Sequence, residues 1–190
     1  MKVLRVVAVA VVLAGCGRYR PPLPPEMLAP ASVEQLVVTP STAGVAFAWS
    51  AAEKDRRGKE LESSTGYSIE RKEIAKRGDE TDPSVEFSRV GFVQDTHVAV
   101  REKLRAEARA QGKVGRNIKS PPEYTTFSFT DRSPEVGKTY IYQIVPINQG
   151  RVEGQVGQQA KVVFQGPQSA VVMTTTKEVQ ALAALEDEQQ

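Results

Sequence analysis

The residues with the most reactive side chains are a single cysteine, Cys16, and a single histidine, His97. A lone imidazole, with no second histidine and no neighbouring cysteine, is not a credible transition-metal site. The sequence contains no Gly-x-Ser-x-Gly elbow and no Ser, His and Asp set whose local context suggests an activated nucleophile. A pair of carboxylates for glycoside cleavage remains an open alternative, because the two residues need only be close in space and not in sequence. The sequence therefore predicts a protein that is not an enzyme and carries no cofactor or metal.

The first segment of the chain has the layout of an export signal. A positive start, residues 1–5, precedes an unbroken apolar run, residues 6–13, and two small residues then precede Cys16, as a cleavage site requires. The apolar run is too short for a membrane-spanning helix, which needs about 20 residues. A secretory signal with an incidental cysteine nearby is the other alternative. We expect residues 1–15 to be a signal peptide.

The tetrapeptide Leu13-Ala14-Gly15-Cys16 resembles the lipobox of bacterial lipoproteins. This resemblance implies that cleavage leaves Cys16 as the first residue, with acyl chains such as palmitate on its sulfur and its amine. More than one acyl chain would anchor the protein stably, since burial contributes about 0.8 kcal/mol per methylene. Gly17, where aspartate would retain a lipoprotein at the inner membrane of enterobacteria, favours the outer membrane. We therefore expect the chain in the bacterial cell envelope, with the leaflet left open.

The charges of the chain balance once the signal is removed. The whole chain has 25 Lys plus Arg and 23 Asp plus Glu, and Lys2 and Arg5 leave with the signal, so 23 of each remain. A neutral protein has no global attraction to nucleic acid, and none is predicted as a partner. Because the only cysteine carries lipid, no disulfide is available and the core must hold the domain.

Composition divides the rest of the chain into three parts. Residues 16–30 are dense in proline and are predicted to form an extended polyproline II linker that spaces the domain from the membrane. Residues 31–176 are long enough for one domain with a real core. Residues 177–190 form an acidic tail, for which fraying is expected and packing against a partner helix is an alternative.

Short runs that alternate apolar and polar residues, separated by turns, predict strands within residues 31–176. Two of them, Gly44-Val45-Ala46-Phe47-Ala48-Trp49 and Gly66-Tyr67-Ser68-Ile69-Glu70-Arg71, resemble the B and C strands of a fibronectin type III domain. Phe129-Thr130-Asp131, followed by Tyr140-Ile141-Tyr142-Gln143-Ile144, resembles its E and F strands. The resemblance implies an all-β, immunoglobulin-like sandwich with a corner tyrosine at Tyr140. The aromatic residues expected in its core are Trp49, Tyr67, Tyr140 and Tyr142.

Residues 94–122 are longer than the connection expected between strands C′ and E of such a domain. Residues 98–111 are rich in helix formers, and Gly112 is expected to end the helix. From Arg101 to Lys119 the net charge is +5, from two glutamates and seven candidate partner-binding residues: Arg101, Lys103, Arg105, Arg109, Lys113, Arg116 and Lys119. These charges suit anionic head groups, lipopolysaccharide phosphates or an acidic partner. A solvated helix over a sheet edge explains the same charges and is the favoured interpretation.

These features together predict a lipid-anchored envelope protein that binds a protein partner as an accessory or scaffold subunit. Anchoring would confine both binders to the membrane region and raise their effective concentration. The basic insert is the first candidate for the contact surface, and the loop between strands F and G is the second. A carbohydrate-binding or carbohydrate-active protein and a surface adhesin are the alternatives. A glycan platform needs exposed aromatic residues, and most aromatic residues here fall at expected core positions.

Overall fold

The computed structural model describes residues 22–75, 82 and 84–176. Within these residues the strands and the α-helix, in chain order, are β1 (Glu34–Ser41), β2 (Gly44–Ser50), β3 (Gly66–Ile74), β4 (Ser88–Gln94), α1 (His97–Ala110), β5 (Thr126–Asp131), β6 (Thr139–Ile147), β7 (Gln158–Val163) and β8 (Ala170–Thr175). The strands form a three-stranded sheet in the order β1-β2-β5 and a five-stranded sheet in the order β4-β3-β6-β7-β8. All paired strands are antiparallel.

This strand order is that of an immunoglobulin-like β-sandwich. β1, β2 and β5 take the places of strands A, B and E, whereas β4, β3, β6 and β7 take those of C′, C, F and G. β8 lies beyond β7 as an additional edge strand. The helix α1 lies between β4 and β5. The predicted fold class, with one helical insert between C′ and E, is therefore confirmed.

Aromatic side chains hold the two sheets together. The four aromatic residues expected in the core are each exposed by 2% or less. The Trp49 ring on β2 meets the Tyr67 ring on β3 edge to face, with 5.5 Å between centroids. Phe47 on β2 and Tyr142 on β6 form a second pair at 4.9 Å. Each pair joins one sheet to the other, and such pairs contribute about 0.5–1.5 kcal/mol beyond the area they bury.

Tyr140 forms the tyrosine corner between β5 and β6. Its hydroxyl accepts a hydrogen bond from the backbone N–H of Glu135 at 3.1 Å, while its ring lies buried in the core. The Arg71 guanidinium lies over the face of the same ring, 4.7 Å from its centroid. One side chain therefore fixes the turn to the core, as the resemblance implies.

The proline-rich leader does not run as an extended spacer up to the domain. Pro25–Leu28 form a 3-10 turn, and Ala29 is completely buried. The Ala31 N–H donates to the carbonyl of Lys54 at 2.8 Å, and the Gln155 N–H donates to the carbonyl of Pro30 at 3.0 Å. Because these backbone groups pair with the sandwich, the packed domain begins near Ala29 rather than at the predicted boundary of Ala31.

One end of the sandwich collects most of the long connections. Gly66 pairs with Gln94 and with Ile147, so β3 begins where β4 and β6 end. The loop from β2 to β3 (residues 51–65), the loop after β6 (residues 148–157), the leader and α1 all start or finish there. We call this the insert end. The turn from β5 to β6 lies at the opposite end.

Candidate binding surface at the insert end

The insert is a helix with a chain segment folded back against it. Gly112 follows α1 with a φ of +71°, a left-handed conformation that favours glycine. The Lys113 N–H donates to the carbonyl of Ala108 at 2.9 Å. The chain then folds back along residues 113–119, which we call the returning segment. It leads to Ser120, whose hydroxyl donates to the carbonyl of His97 at 2.7 Å. Hydrogen bonds therefore close the insert at both its tip and its base.

Two of the seven predicted partner-binding residues instead attach the insert to the domain. Arg101 is 5% exposed and donates a hydrogen bond to the carbonyl of Leu61. Arg105 donates to both carboxylate oxygens of Glu60, at 2.8 and 2.7 Å, and to the carbonyl of Ile118 at 3.1 Å. The hydrogen bond from Arg105 lowers the pKa of Glu60 and outweighs the effect of burial. Arg101 and Arg105 are therefore internal anchors, which sets them apart from the other five predicted partner-binding residues.

The other five predicted residues are exposed on the insert: Lys103, Arg109, Lys113, Arg116 and Lys119. Within the described part of the chain, none of the five forms an ion pair. The fold thus presents five cationic side chains to solvent at one end of the sandwich. Val114, which is 81% exposed, lies between two of them at the tip.

The favoured interpretation of the charges placed the insert over a sheet edge. The insert does not lie there. Its contacts go to the loop of residues 51–65, where Glu60 and Leu61 receive the two anchoring arginines. The edge strands of the two sheets are β1, β5, β4 and β8, and neither anchoring arginine bonds to any of them. The charge run is therefore partly a solvated face and partly an internal attachment.

Beneath α1 lies a buried polar cluster that the sequence analysis missed. Asp95 accepts hydrogen bonds from the hydroxyls of Ser64 at 2.6 Å and Tyr67 at 2.9 Å. The Nδ1 atom of His97 lies 2.8 Å from each oxygen of the same carboxylate. Burial opposes ionisation of Asp95, but the bonds from His97 and Ser64 prevail and lower its pKa. Burial raises the pKa of Tyr67 strongly, and the Asp95 charge adds to this effect.

The aspartate–histidine pair resembles the base of a hydrolase triad only in part. In such a triad a hydroxyl donates to the free ring nitrogen of the histidine. Here Ser64 donates to Asp95 and Ser120 donates to the His97 carbonyl. Among the described residues, Nε2 of His97 has no hydrogen-bond partner. The geometry therefore contains an oriented imidazole without an adjacent nucleophile.

Across residues 22–75, 82 and 84–176, no group of three or more His, Cys, Asp or Glu side chains is placed to hold a metal ion. Within the same ranges no helix is long and apolar enough to cross a membrane.

Several sequence predictions fall on residues that lie outside the described ranges. They are the signal peptide of residues 1–15, the lipid attachment at Cys16 with the first part of its linker, and the acidic tail of residues 177–190. These remain predictions from the sequence. The glycine-punctuated loop after β6 is described and lies at the insert end, where the Val152 N–H donates to the side chain of Asn148 at 2.9 Å.

Comparison with known proteins gives likeness of fold only. No protein-family model matches the sequence, and no curated protein matches it. Among solved structures, the chain is similar to the twitchin kinase region from C. elegans, at 13% identity and a TM-score of 0.42, over 74% of this chain and 17% of that one. It is similar to a Fn3-like protein from Clostridium thermocellum, at 17% identity and a TM-score of 0.37, over 74% and 96%.

A third similar structure is the third fibronectin III domain of human KIAA0343 protein, at 10% identity and a TM-score of 0.35, over 84% of this chain and 92% of that one. At such identities and TM-scores the likeness says nothing about activity, substrate or partner. The immunoglobulin-like sandwich is therefore established by the strand order and packing of the chain itself.

Proposed function

We propose that this chain is a lipid-anchored lipoprotein of the bacterial envelope, without enzymatic activity, whose sandwich binds an acidic protein partner through the insert. The observation that carries the proposal is that the basic residues of the insert fall into two groups, one held in contacts with the domain and one exposed. Two of them fix the insert to the domain, and five stay exposed and free of ion pairs among the described residues. The two anchors are explained by the attachment of the insert, whereas the other five are available to an acidic partner surface.

The placement of the leader supports the same proposal. The leader joins the sandwich at the insert end, so an anchor at Cys16 would tether this end most directly. Cys16 lies nine residues before the 3-10 turn that begins at Pro25, and a polyproline II segment of that length would span about 28 Å. Lipid attachment would thus keep the insert close to the membrane and raise the effective concentration of a partner held there.

Lipid attachment is tested by metabolic labelling in a bacterial host with an alkyne analogue of palmitate. We expect the wild-type protein to be labelled and Cys16→Ser to remain unlabelled and uncleaved, because the acylated thiol directs processing. Equal labelling of both proteins would contradict the anchor.

Partner binding is tested by affinity purification of the lipidated protein from gently solubilised membranes. Deletion of the insert is unsuitable, because it would remove His97 and Arg101 from the buried contacts with Asp95 and Leu61. The double variant Lys113→Gln/Arg116→Gln removes two exposed charges at the tip and leaves the anchors intact. We expect a partner captured by wild type to be lost or reduced about tenfold, since exposed charges contribute up to about 1 kcal/mol each.

The matched control removes two cations from the opposite end, in Arg132→Gln/Lys138→Gln. This variant should capture the partner as wild type does. If both double variants retain the partner equally, the insert is not the contact surface. If both lose it equally, the effect is one of net charge.

A further inference from the structure

A small cleft lies between the base of the insert and the loop of residues 51–65. Its volume is about 170 Å3, and its lining residues are Glu53, Lys54, Glu60, His97, Arg101, Lys119 and Ser120. Pockets that hold drug-sized ligands have volumes of about 300–1,000 Å3. The cleft therefore suits a single side chain or a small ion better than a sugar or a cofactor.

Two residues that line this cleft each carry a buried nitrogen atom that forms no hydrogen bond within the described residues: Nε2 of His97 and Nε of Arg101. His97 is 1% exposed and Arg101 is 5% exposed. The nearest carboxylate oxygen to the Arg101 atom belongs to Glu102, at 3.5 Å. Buried polar atoms without a partner are costly. Because the two atoms belong to residues that line one cleft, a ligand that accepts hydrogen bonds there would satisfy both.

The charges around the cleft favour an anion. Lys54 and Lys119 are exposed on its lining, whereas Arg101 already pairs with Glu60 and Glu102, each at 3.5 Å. Of the two glutamates, Glu60 is already held by both terminal nitrogens of Arg105, which leaves Glu53 as the opposing charge. Positive groups thus predominate, and an anion is the complementary ligand.

We propose that this cleft is a socket for one carboxylate, supplied by an aspartate or glutamate side chain of the protein partner. The Nε2–H of a protonated His97 and the Nε–H of Arg101 would donate to the carboxylate, and Lys119 would complete its charge balance. Charge-assisted hydrogen bonds of this kind are roughly twice as strong as neutral ones. The inference rests on the proposed function, because it names the chemistry by which the partner is recognised.

Asp95 prepares the imidazole for this role. Its carboxylate bonds to Nδ1 of His97, which fixes the ring, so Nε2 is directed away from Asp95. The other titratable and charged groups around the ring are Tyr67 on β3, Arg101 on α1, Lys119 on the returning segment, and Glu53, Lys54 and Glu60 on the loop of residues 51–65. Asp95 is thus a positioning residue and does not contact the ligand.

The test is an NMR titration of the lipidated protein in detergent micelles with propionate, which mimics an acidic side chain. Propionamide, of nearly the same shape without the charge, is the matched probe. His97 is the sole histidine, so the imidazole signals need no deconvolution. At a pH at which these signals report the imidazolium, we expect propionate to shift Nε2–H of His97 and Nε–H of Arg101 along one saturating curve. Propionamide should leave both unchanged.

Two exposed variants extend the test without disturbing the fold. Lys119→Gln should weaken propionate about two- to fivefold, as expected for one partly exposed charge, whereas Lys113→Gln at the tip should have no effect. Equal shifts with propionate and propionamide, or with sodium chloride at the same ionic strength, would overturn the socket. So would a saturable shift confined to the exposed lysines. If propionate fails to bind while the wild-type protein still captures its partner, the socket alone is rejected. If the wild-type protein captures no partner, the proposed function is rejected.

Discussion

At the scale of single residues, a buried carboxylate joins the two sheets near the end opposite the insert. Asp131 on β5 is 4% exposed. It accepts hydrogen bonds from Arg71 on β3 at 2.7 Å and from Tyr142 on β6 at 3.0 Å. Its second oxygen accepts from the N–H and hydroxyl of Ser133. Burial opposes ionisation, but the Ser133 bonds and the Arg71 charge prevail and lower the pKa of Asp131.

We expect Asp131→Asn to reduce the free energy of unfolding by about 3 kcal/mol, because it leaves the partly buried Arg71 and the buried Tyr142 with a neutral partner. Urea unfolding measures the change. Glu123→Gln, an exposed change just before β5, should stay within about 0.5 kcal/mol of wild type. An unchanged unfolding midpoint for Asp131→Asn would contradict the role assigned to this carboxylate.

The same carboxylate makes the fold sensitive to acid. The folded-state pKa of Asp131 lies below 3.8, the value of an unperturbed aspartate. Its contribution to stability is therefore present above that pH and is lost as the pH falls through it toward the folded-state pKa. The pKa of Asp95 is lowered as well. The free energy of unfolding, measured in urea as a function of pH, should fall more steeply below about pH 4 for wild type than for Asp131→Asn. Parallel pH dependences of the two proteins would contradict this.

Residue-level predictions from the sequence were successful where the signal was local. Alternation along β2 placed Trp49 in the core, and alternation along β6 placed Tyr140 and Tyr142 there. The polar cluster was missed because Ser64 and Tyr67 lie 31 and 28 residues from Asp95 along the chain. Asp95 and His97 are only two residues apart, but this spacing alone does not distinguish a buried pair from two surface residues.

At the scale of elements, the helix of the insert is held by side chains more than by an apolar face. Arg101 and Arg105 reach the loop of residues 51–65, and Arg105 also binds the returning segment. The sequence predicted the helix and its glycine stop, because propensity and end signals are local. It could not separate the anchoring arginines from the exposed ones, since that distinction depends on which loop the helix meets.

We expect Arg105→Gln to release the returning segment while the sandwich stays folded. The variant loses the paired bonds to Glu60 and the bond to the Ile118 carbonyl, worth about 1.5–3 kcal/mol for bonds to a charged group. Amide hydrogen exchange at residues 113–119 should accelerate at least about tenfold. Arg109→Gln, an exposed arginine one turn further along, is the control and should exchange as wild type does. Equal rates in both variants would show that Arg105 is not an anchor.

At the scale of the whole molecule, the features that bear on function meet at one end. The leader, the insert and the loop after β6 all lie at the insert end, and Thr176 at the end of β8 donates to the carbonyl of Gly157 in that loop. The order of strands could be predicted from the resemblance, but this gathering could not. It depends on how the leader and the insert pack against the loop of residues 51–65, for which the sequence carries no repeating pattern.

The central claim is that the insert end contacts a protein partner at the membrane. Two exposed valines allow a matched test of it, because Val114 at the tip is 81% exposed and Val136 at the opposite end is 71% exposed. Each is replaced in turn by a photo-crosslinking amino acid in the full-length protein, and intact cells are irradiated. We expect a discrete protein adduct from position 114 and none from position 136. Adducts from position 136 alone, or equal adducts from both positions, would contradict the claim.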